Sequence, residues 1–436
     1  MPNAASLRAG PTTRRAEALR SLGRVPWAVG DQLVVSAANL ATMILLARGL
    51  SPVEFGGFTL VYSIVLFANS LQSGLITQPH NILGVTRRGD DYVRYTTSTA
   101  VAQAFLAAAA AALALASWGV GALAGWDAAP MLLAMAPAMA ACQLQEFVRR
   151  VFYTEGRAAA AFASDVLTYS VLVLALEALR RAGTLTGTAA LYAHAAAFSL
   201  AAAVGLWQLR GRLAGPFDPE AIRENWHFGK WLAAGDVVGH WLSTQLFVYL
   251  AAAMLGAAAA GVLKAIHTVF GPTRVLIFVF NTLLPIRLAR TLAEAGPAAL
   301  HARLVAALLA AVPLLGGYCL LAAVFSGPLL RFLYGEKYAA YPSVLALYAA
   351  FTFLGQMTMI ISAALRARRL SRFIFTSRLT ATLITVPFGC VLIRLLGLHG
   401  AVLGSILTAA VLCYLSWRAY RGTLVGGPAA AAGHCE

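Results

Sequence analysis

Three basic side chains inside one apolar segment are the first candidates for chemistry. Lys264, His267 and Arg274 are spaced i, i+3 and i+10, which predicts a common face of one helix. An ionisable residue costs about 2.5–3.5 kcal/mol at the centre of a membrane helix, so it is expected to face a cavity or a partner. Because Arg matches phosphate oxygens in a bidentate geometry, this stripe is suited to a pyrophosphate or an acidic sugar. We therefore predict that these three residues bind substrate.

Two alternatives stay open for the same stripe. Lys264 can snorkel to the outer interface of the membrane, and Arg274 can pair with a buried acid. Gly271-Pro272 interrupts the segment, and a proline there removes a backbone donor and predicts a kink. The kink would place the free carbonyl group close to the basic side chains.

Two acidic residues recur at equivalent places in the two halves of the sequence. Asp236 and His240 are spaced i, i+4 in one apolar run, and Asp31 precedes Asn39 by eight residues in another. We predict that Asp31 and Asp236 act in coupling or gating, and that His240 and Asn39 contact substrate. Alternatively, both acids are caps near the cytoplasmic ends of their helices, where the helix dipole favours them. His194 lies alone in an apolar run and is expected to be a packing residue.

The composition indicates an all-α polytopic membrane protein. Of 436 residues, 60% are hydrophobic and 11% are charged, whereas a soluble domain carries about 25% charged residues. Apolar runs of about 20 residues recur along the chain, and each is long enough to cross a bilayer as a helix. The net charge of +16 lies mostly in the short loops, so we read it as topological and expect no nucleic-acid partner.

We predict about twelve transmembrane helices in two pseudo-symmetric six-helix bundles around a central cavity. The predicted spans lie near residues 27–47, 58–80, 99–118, 130–148, 160–178, 187–208, 231–255, 261–286, 303–325, 342–364, 373–393 and 399–418. The predicted organisation is a basic cytoplasmic leader (1–26), an N-terminal bundle (27–209), a cytoplasmic linker (210–230), a C-terminal bundle (231–421) and a disordered tail (422–436).

The distribution of basic residues predicts that both termini are cytoplasmic. With the N-terminus inside, 24 basic residues fall in cytoplasmic segments and 6 on the opposite side, as the positive-inside rule requires. Arg180-Arg181 on the outer side is the one pair that fits poorly. The segment 326–342 is predicted to lie outside.

An internal repeat supports the division into two bundles. Residues 30–61 align without gaps on residues 235–266, at an offset of 205, so that Gly30-Asp31 falls on Gly235-Asp236. Paired halves with a binding site at their interface are a common plan in transporters. Chance similarity between two apolar sequences is the alternative explanation.

Several segments resemble one family of membrane transporters. They are GDQLVVSAANLATMILLARGLSPVEFGGFTLVYSI in the first helix pair, EFVRRVFYTEGRAAAAFASD (146–165) and LLRFLYGEKYAAYPSVL (329–345). These segments resemble the polysaccharide (O-antigen type) lipid-linked oligosaccharide flippases of the multidrug/oligosaccharidyl-lipid/polysaccharide exporter superfamily. The resemblance implies a bacterial inner-membrane protein in which two bundles move an undecaprenyl-pyrophosphate glycan between leaflets by alternating access. It further implies membrane lipids, a polysaccharide polymerase and chain-length proteins as partners.

Other functional classes fit the sequence less well. A cation-coupled multidrug antiporter of the same fold would be expected to rely on membrane acids, whereas the deep charges here are more basic than acidic. A major-facilitator carrier would need an Asp ahead of the basic pair in LGVTRRGDDYVRY (83–95). No P-loop, metal-ligand pair or catalytic constellation occurs, so we expect neither an enzyme such as a polymerase nor a cofactor. Four of the five cysteines lie in apolar runs and are expected to pack there.

Overall fold

The computed structural model describes the backbone of residues 11–237, 241, 245–273, 280, 284–368 and 370–425. Side chains are described for the same residues except 11–29, 235, 236, 286, 371, 372 and 425. Within these limits all regular secondary structure is helical, which confirms the predicted all-α class.

Seven helices form the N-terminal half. They are α1 (Pro11–Gly49), α2 (Pro52–Gln72), α3 (Gln78–Leu83), α4 (Gly89–Leu123), α5 (Ala129–Thr154), α6 (Ala158–Arg181) and α7 (Gly187–Leu209). A π-helical turn, Ser73–Thr77, joins α2 to α3. Ser51 caps α2 by accepting a hydrogen bond from the backbone N–H of Glu54, and Thr186 caps α7 in the same way through the N–H of Ala189.

Eight helices are described in the second half. They are α8 (Pro219–Asp236), α9 (Leu246–Leu255), α10 (Ala257–Val269), α11 (Leu284–Val324), α12 (Ser326–Tyr334), α13 (Pro342–Ala367), α14 (Ser371–Leu396) and α15 (Leu398–Val425). The long helix α11 bends at Gly296, whose φ is 79°. Ten helices along the described chain are long and apolar enough to span a membrane, and α9 and α10 are shorter apolar helices. The protein is therefore a multi-pass membrane protein.

Small residues let the helices of the first bundle approach closely. Ala134, Ala138, Ala190 and Ala197 are fully buried between α5 and α7. A Cβ atom at Gly205 of α7 would lie 2.2 Å from Val148 of α5. Without a hydrophobic driving force between helices in lipid, such close packing is what holds membrane helices together. The largest apolar core continues from these helices through α2 into α10, so that the two halves share it.

The two halves meet in a contact that repeats the sequence offset of 205. A Cβ added at Gly56 would lie 1.8 Å from the carbonyl oxygen of Ala257, and one added at Gly261 would lie 2.9 Å from that of Pro52. The offset relates Pro52 to Ala257 and Gly56 to Gly261. Gly56 therefore contacts Ala257, and its equivalent Gly261 contacts Pro52, the equivalent of Ala257. A pseudo-two-fold axis between α2 and α10 requires this reciprocal pattern. Because α2 and α10 also begin at equivalent positions, this contact confirms the predicted pseudo-symmetry.

Two helices extend beyond the apolar parts of the predicted bundles. Helix α1 begins at Pro11, so residues 11–26 of the predicted leader are helical. Helix α8 begins at Pro219, so the second part of the predicted linker already belongs to a helix. In both places the helix continues through polar residues, which the hydropathy pattern does not identify as helical. The predicted tail 422–436 lies outside the described residues from 426 onwards.

The linker and the start of α8 are fixed to the first bundle. The Tyr95 hydroxyl donates to Asn225 Oδ1 at 2.7 Å, and the backbone N–H of Asp218 donates to Ser98 Oγ at 2.7 Å. Gly229 lies so close to the π-helical turn after α2 that an added Cβ would be 2.6 Å from the carbonyl oxygen of Gly74. Helix α8 thus packs against the N-terminal bundle although its sequence belongs to the second half.

Arg180 and Arg181, the pair that fits the predicted topology poorly, share one acidic partner, which leaves one positive charge in excess. Glu177, one turn earlier in α6, accepts hydrogen bonds from Arg180 Nε and Arg181 Nε, both at 2.7 Å. The positive-inside rule counts Lys and Arg and gives acids little weight, so this pairing leaves the pair an exception to the predicted topology.

Candidate functional site

A cavity of about 240 Å³ lies between the two halves. Most of its lining comes from α1, α2, α5, α6 and α7, and the remainder comes from α10 and the residues that follow it. The lining residues are Val35, Ser36, Asn39, Leu40, Met43, Tyr62, Leu66, Asn69, Cys142, Gln145, Glu146, Arg149, Asp165, Tyr169, Phe198, Lys264, His267, Thr268 and Gly271.

Helix α10 supplies the cationic side of the cavity. Lys264 and His267 both line it, on the common face that their spacing predicts. The two residues also line a second, smaller cavity of about 30 Å³. His267 Nδ1 lies 2.8 Å from the Tyr348 hydroxyl of α13, which fixes the orientation of the imidazole ring.

Helix α10 ends where the sequence predicts a break. Its last residue is Val269, and a single 3₁₀ turn, Gly271–Thr273, follows. Proline at 272 cannot donate the hydrogen bond that would continue the helix. Arg274, the third member of the predicted stripe, lies outside the described residues.

On the opposite wall, Arg149 of α5 is the centre of a buried ion-pair network. Its Nη1 lies 3.2 Å from Asp31 Oδ2 and 3.1 Å from Asp165 Oδ2. Its Nε donates to Glu146 Oε2 at 2.9 Å. One guanidinium thus joins α1, α5 and α6 through three carboxylates. Charges in such a place are stable only when they are paired and hydrogen-bonded, as they are here.

Neutral side chains complete the coordination of these carboxylates. The Tyr153 hydroxyl donates to Asp31 Oδ2 at 2.6 Å, and Gln145 Nε2 donates to Asp165 Oδ1 at 2.8 Å. Asp31 is fully buried, and its Oδ1 accepts no hydrogen bond from the residues that the structure describes. A carboxylate oxygen without a donor is an unusual feature of a buried site.

The charge of the network is unbalanced when every group is ionised. The three acids Asp31, Glu146 and Asp165 face Arg149 and the neighbouring Arg150, whose Nε lies 2.6 Å from Glu146 Oε1. Three negative charges against two positive ones leave one negative charge in excess. Lys264, on the facing wall of the same cavity, supplies a further positive charge.

The sequence-based interpretation of Asp31 and Asp236 as N-terminal caps is wrong. Asp31 is the twenty-first residue of α1, and Asp236 is the last residue of α8. Neither stands at a helix N-terminus. Because polar leader and linker residues were read as loops, the helices seemed to start closer to these acids than they do.

The remaining predicted residues fall into two groups. Asn39 lines the cavity, and its side-chain amide donates to the backbone carbonyl of Val35 at 2.8 Å. His240 lies outside the described part of the chain, as does the side chain of Asp236. His194 is buried and packs against Phe58, Tyr62 and Phe198, as expected of a packing residue. Its Nδ1 lies 2.8 Å from the carbonyl oxygen of Ala190.

The sequence-based interpretation missed the network around Arg149. Arg149 and Arg150 were counted as cytoplasmic loop charges, but both lie in α5, where the Arg149 side chain is 13% exposed. A signal was present in the spacing, because Cys142, Gln145, Glu146 and Arg149 follow i, i+3, i+4 and i+7 and share one helix face. The expectation that the deep charges are mainly basic is also wrong for the described cavity, where Glu146 and Asp165 match Arg149 and Lys264 in number.

The fold is similar to that of known transporters. Over 93% of this chain and 96% of the other, it matches an inward-facing multidrug resistance MATE family transporter of the MOP superfamily, with a TM-score of 0.76 and 14% identity. An outward-facing MATE transporter gives 0.65 with 15% identity over 94% and 95% of the two chains. The lipid II flippase MurJ in an inward closed conformation gives 0.70 with 12% identity over 91% and 87%. No protein-family model and no curated protein sequence matches the chain.

Proposed function

We propose that this protein is an inner-membrane flippase that moves a lipid-linked oligosaccharide, an undecaprenyl-pyrophosphate glycan, to the periplasmic leaflet by alternating access. The observation that carries the proposal is the cavity between two pseudo-symmetric halves, with Lys264 and His267 on one wall and an ion-pair network on the other. Such a cavity offers a cation to an anionic headgroup and a titratable site for coupling.

The lining suits the junction between a pyrophosphate and a sugar. Lys264 can neutralise phosphate oxygens, and the amides of Asn39, Asn69 and Gln145 can exchange hydrogen bonds with sugar hydroxyls. Tyr62, Tyr169 and Phe198 add aromatic surface to the same cavity. This mixture of amide, aromatic and charged groups favours a polar ligand of mixed character over a purely apolar one.

The size of the cavity limits what it can hold. Drug-sized ligands occupy pockets of about 300–1,000 Å³, and this cavity is about 240 Å³. It can enclose a pyrophosphate with part of a sugar, and a longer glycan would have to extend beyond it. We therefore expect recognition in this conformation to concentrate on the headgroup.

The similar structures support both the cycle and the class of substrate. MurJ is described as a lipid II flippase, and lipid II is itself a lipid-linked sugar. The TM-score is higher for the inward-facing MATE transporter than for the outward-facing one, 0.76 against 0.65. We infer that the described conformation is the inward-facing one.

Arg274 is the strongest remaining candidate for the pyrophosphate. The offset of 205 pairs it with Asn69, and Asn69 lines the cavity. The role of Arg274 stays a sequence-based prediction.

A cation-coupled multidrug antiporter is the second candidate. It is favoured by the three carboxylates around Arg149, since such an antiporter would be expected to rely on membrane acids. The two candidates share alternating access and the coupling site and differ in the substrate alone. A test must therefore measure the substrate.

The test is lipid extraction from a deletion strain. A flippase predicts undecaprenyl-linked oligosaccharide trapped on the cytoplasmic side, with no change in drug susceptibility. Complementation with Lys264→Ala or Arg274→Ala should restore protein abundance but not polymer export, and Arg274→Lys should restore part of it. Lys230→Ala, a basic residue on α8 that does not line the cavity, is the control and should export normally.

Two results would overturn the proposal. Normal glycan lipid distribution together with increased drug sensitivity in the deletion strain would select the antiporter. Normal export by both Lys264→Ala and Arg274→Ala would remove these residues from the binding site.

A further inference from the structure

The ends of α1 and α12 are joined across the two halves by two cations. Arg48, in the last turn of α1, donates from Nε to the carbonyl oxygen of Leu333 at 2.8 Å, and its Nη2 donates to that of Phe332. Lys337 bonds in the opposite direction, from Nζ to the carbonyl oxygens of Arg48 at 3.0 Å and Leu50 at 2.9 Å. Each half thus supplies one cation to the other.

These four hydrogen bonds satisfy groups that helices leave open. The last carbonyl groups of a helix have no partner within the helix, and its C-terminus carries a partial negative charge. Arg48 binds such carbonyls in the last turn of α12, and Lys337 binds those at the end of α1. Each cation therefore caps a helix of the opposite half. Arg48 and Lys337 are exposed, and exposed polar contacts are weak enough to break reversibly.

The segment LYGEKY holds Lys337 in position. Tyr334 and Tyr338 are almost completely buried, and the Tyr334 hydroxyl donates to the carbonyl oxygen of Ala265 at 2.9 Å. Gly335 has a φ of 78°, which turns the chain between them. Burial raises the pKa of both tyrosines, so they stay neutral beside the cation. Two buried anchors thus present Lys337 to the other half.

The same cations lie close to the tightest contact between the halves. Arg48 is four residues before Pro52, whose carbonyl oxygen contacts Gly261. The cavity residues Asn39 and Tyr62 lie further along α1 and α2 from this contact, toward the opposite side of the membrane. Because Tyr334 joins the Lys337 segment to Ala265 of α10, separation of α2 from α10 on this side would also break the Arg48 and Lys337 bonds.

We propose that Arg48 and Lys337 form a reversible gate that closes the cavity on the side where α1 ends. The predicted topology makes this the periplasmic side. The gate rests on the alternating access of the proposed function and does not depend on the identity of the substrate. Breaking the gate shifts the population toward a state open on that side.

The test measures access to the cavity with a single cysteine. Ser36 lines the cavity, so Ser36→Cys, in a chain whose five native cysteines are replaced by serine, reports access of an impermeant maleimide to intact spheroplasts. Arg48→Ala with Lys337→Ala should raise its labelling rate on the order of tenfold, as expected when a minor open state gains population. Arg331→Ala is the matched control, since Arg331 pairs with Glu336 in the same segment and does not cross between the halves.

A second cysteine reporter tests the membrane topology independently of the gate. Ala340 is exposed in the same outer segment, whereas Ser326 is buried at 7% exposure and would be a poor reporter. Labelling of Ala340→Cys in spheroplasts supports the periplasmic assignment. Labelling only in inverted vesicles reverses the topology, and the Ser36→Cys assay is then read in inverted vesicles.

The outcomes decide the proposal without reference to any substrate. Faster labelling of Ser36→Cys in the double variant, with the control unchanged, supports the gate. A wild-type labelling rate in the double variant overturns it. If the double variant does not elute as a folded protein, Arg48→Gln and Lys337→Gln are measured singly, and unchanged rates in both overturn it equally.

Discussion

The two halves share a backbone plan but differ in chemistry. Around the cavity the N-terminal bundle places three carboxylates on one guanidinium. The C-terminal half contributes Lys264, His267 and Thr268 from one short helix that ends at Val269. At equivalent positions, His267 of the second half stands where the first half has Tyr62, and both residues line both cavities.

This difference indicates a division of labour between the halves. A network in which one guanidinium binds carboxylates of three helices fixes those helices relative to one another. A cation beside a broken helix is better placed to follow a ligand as the bundle moves. Pseudo-symmetry therefore predicts where helices lie and does not predict which side chains they carry.

The largest effect is expected from removal of Arg149. Arg149→Ala leaves Asp31, Glu146 and Asp165 without their common partner and should destabilise the protein by about 3–5 kcal/mol. The unfolding midpoint of the purified protein in detergent measures this loss of stability. Arg150→Ala, which removes a partly exposed cation paired with Glu146 alone, is the control and should cost less. Equal midpoints for the two variants would show that the network does not stabilise the first bundle.

The contact between the halves provides the next test. Gly56→Ala places a Cβ 1.8 Å from the Ala257 carbonyl oxygen, whereas Gly261→Ala places one 2.9 Å from that of Pro52. We expect Gly56→Ala to lose about 1–3 kcal/mol through overpacking, and Gly261→Ala to lose less. Gly57→Ala meets Met131 at 3.7 Å and should be neutral. A reversed order in the unfolding midpoints would contradict the geometry of the pseudo-two-fold contact.

The equivalent acids test the division of labour directly. Asp31→Asn removes one of the three carboxylate charges around Arg149, where the proposed function has its coupling site. Transport driven by a pH gradient in proteoliposomes should fall on the order of tenfold, about 1.4 kcal/mol in barrier height. Asp236→Asn should reduce it less if coupling belongs to the first bundle. An equal loss in both variants would show that the halves share the coupling.

The smallest effect is expected at His194. His194→Phe keeps the aromatic packing against Tyr62 and Phe198, so stability and transport should change little, by under about 1 kcal/mol. His267→Phe removes the contact with the Tyr348 hydroxyl and leaves that buried group unpaired, at a cost of about 1–3 kcal/mol. Comparable transport by the two variants would place His267 among the packing residues.

Much of the fold could be predicted from the sequence because the bilayer requires long apolar helices. The offset of 205 predicted two equivalent halves, and Pro272 predicted the end of α10. Helix ends were less predictable, because polar stretches such as 11–26 and 219–230 are helical without being apolar. Hydropathy measures transfer into lipid and carries no signal for a helix that extends into water or along the interface.

The candidate site was predicted only on one side. Lys264 and His267 were found because a cation inside an apolar run is conspicuous. Arg149 was missed because it stands near the end of α5, beside Arg150, where a cluster of charges looks like a loop. Only tertiary contact with Asp31 and Asp165, 118 and 16 residues away in sequence, shows that it is buried.

The bonds that hold α8 to the first bundle show that the two halves are connected in sequence at one place and move relative to each other at another. Asp218 and Asn225 hydrogen-bond to α4, and Gly229 packs against the π-helical turn Ser73–Thr77. The start of α8 must therefore move with the N-terminal bundle during any rocking motion. The linker residues 213–217 then undergo no change during this motion, and the rotation must be absorbed further along the chain than Gly229. A protein cleaved within residues 213–217 should keep its transport motion, because the cut leaves both the contacts of α8 and the hinge beyond Gly229 intact.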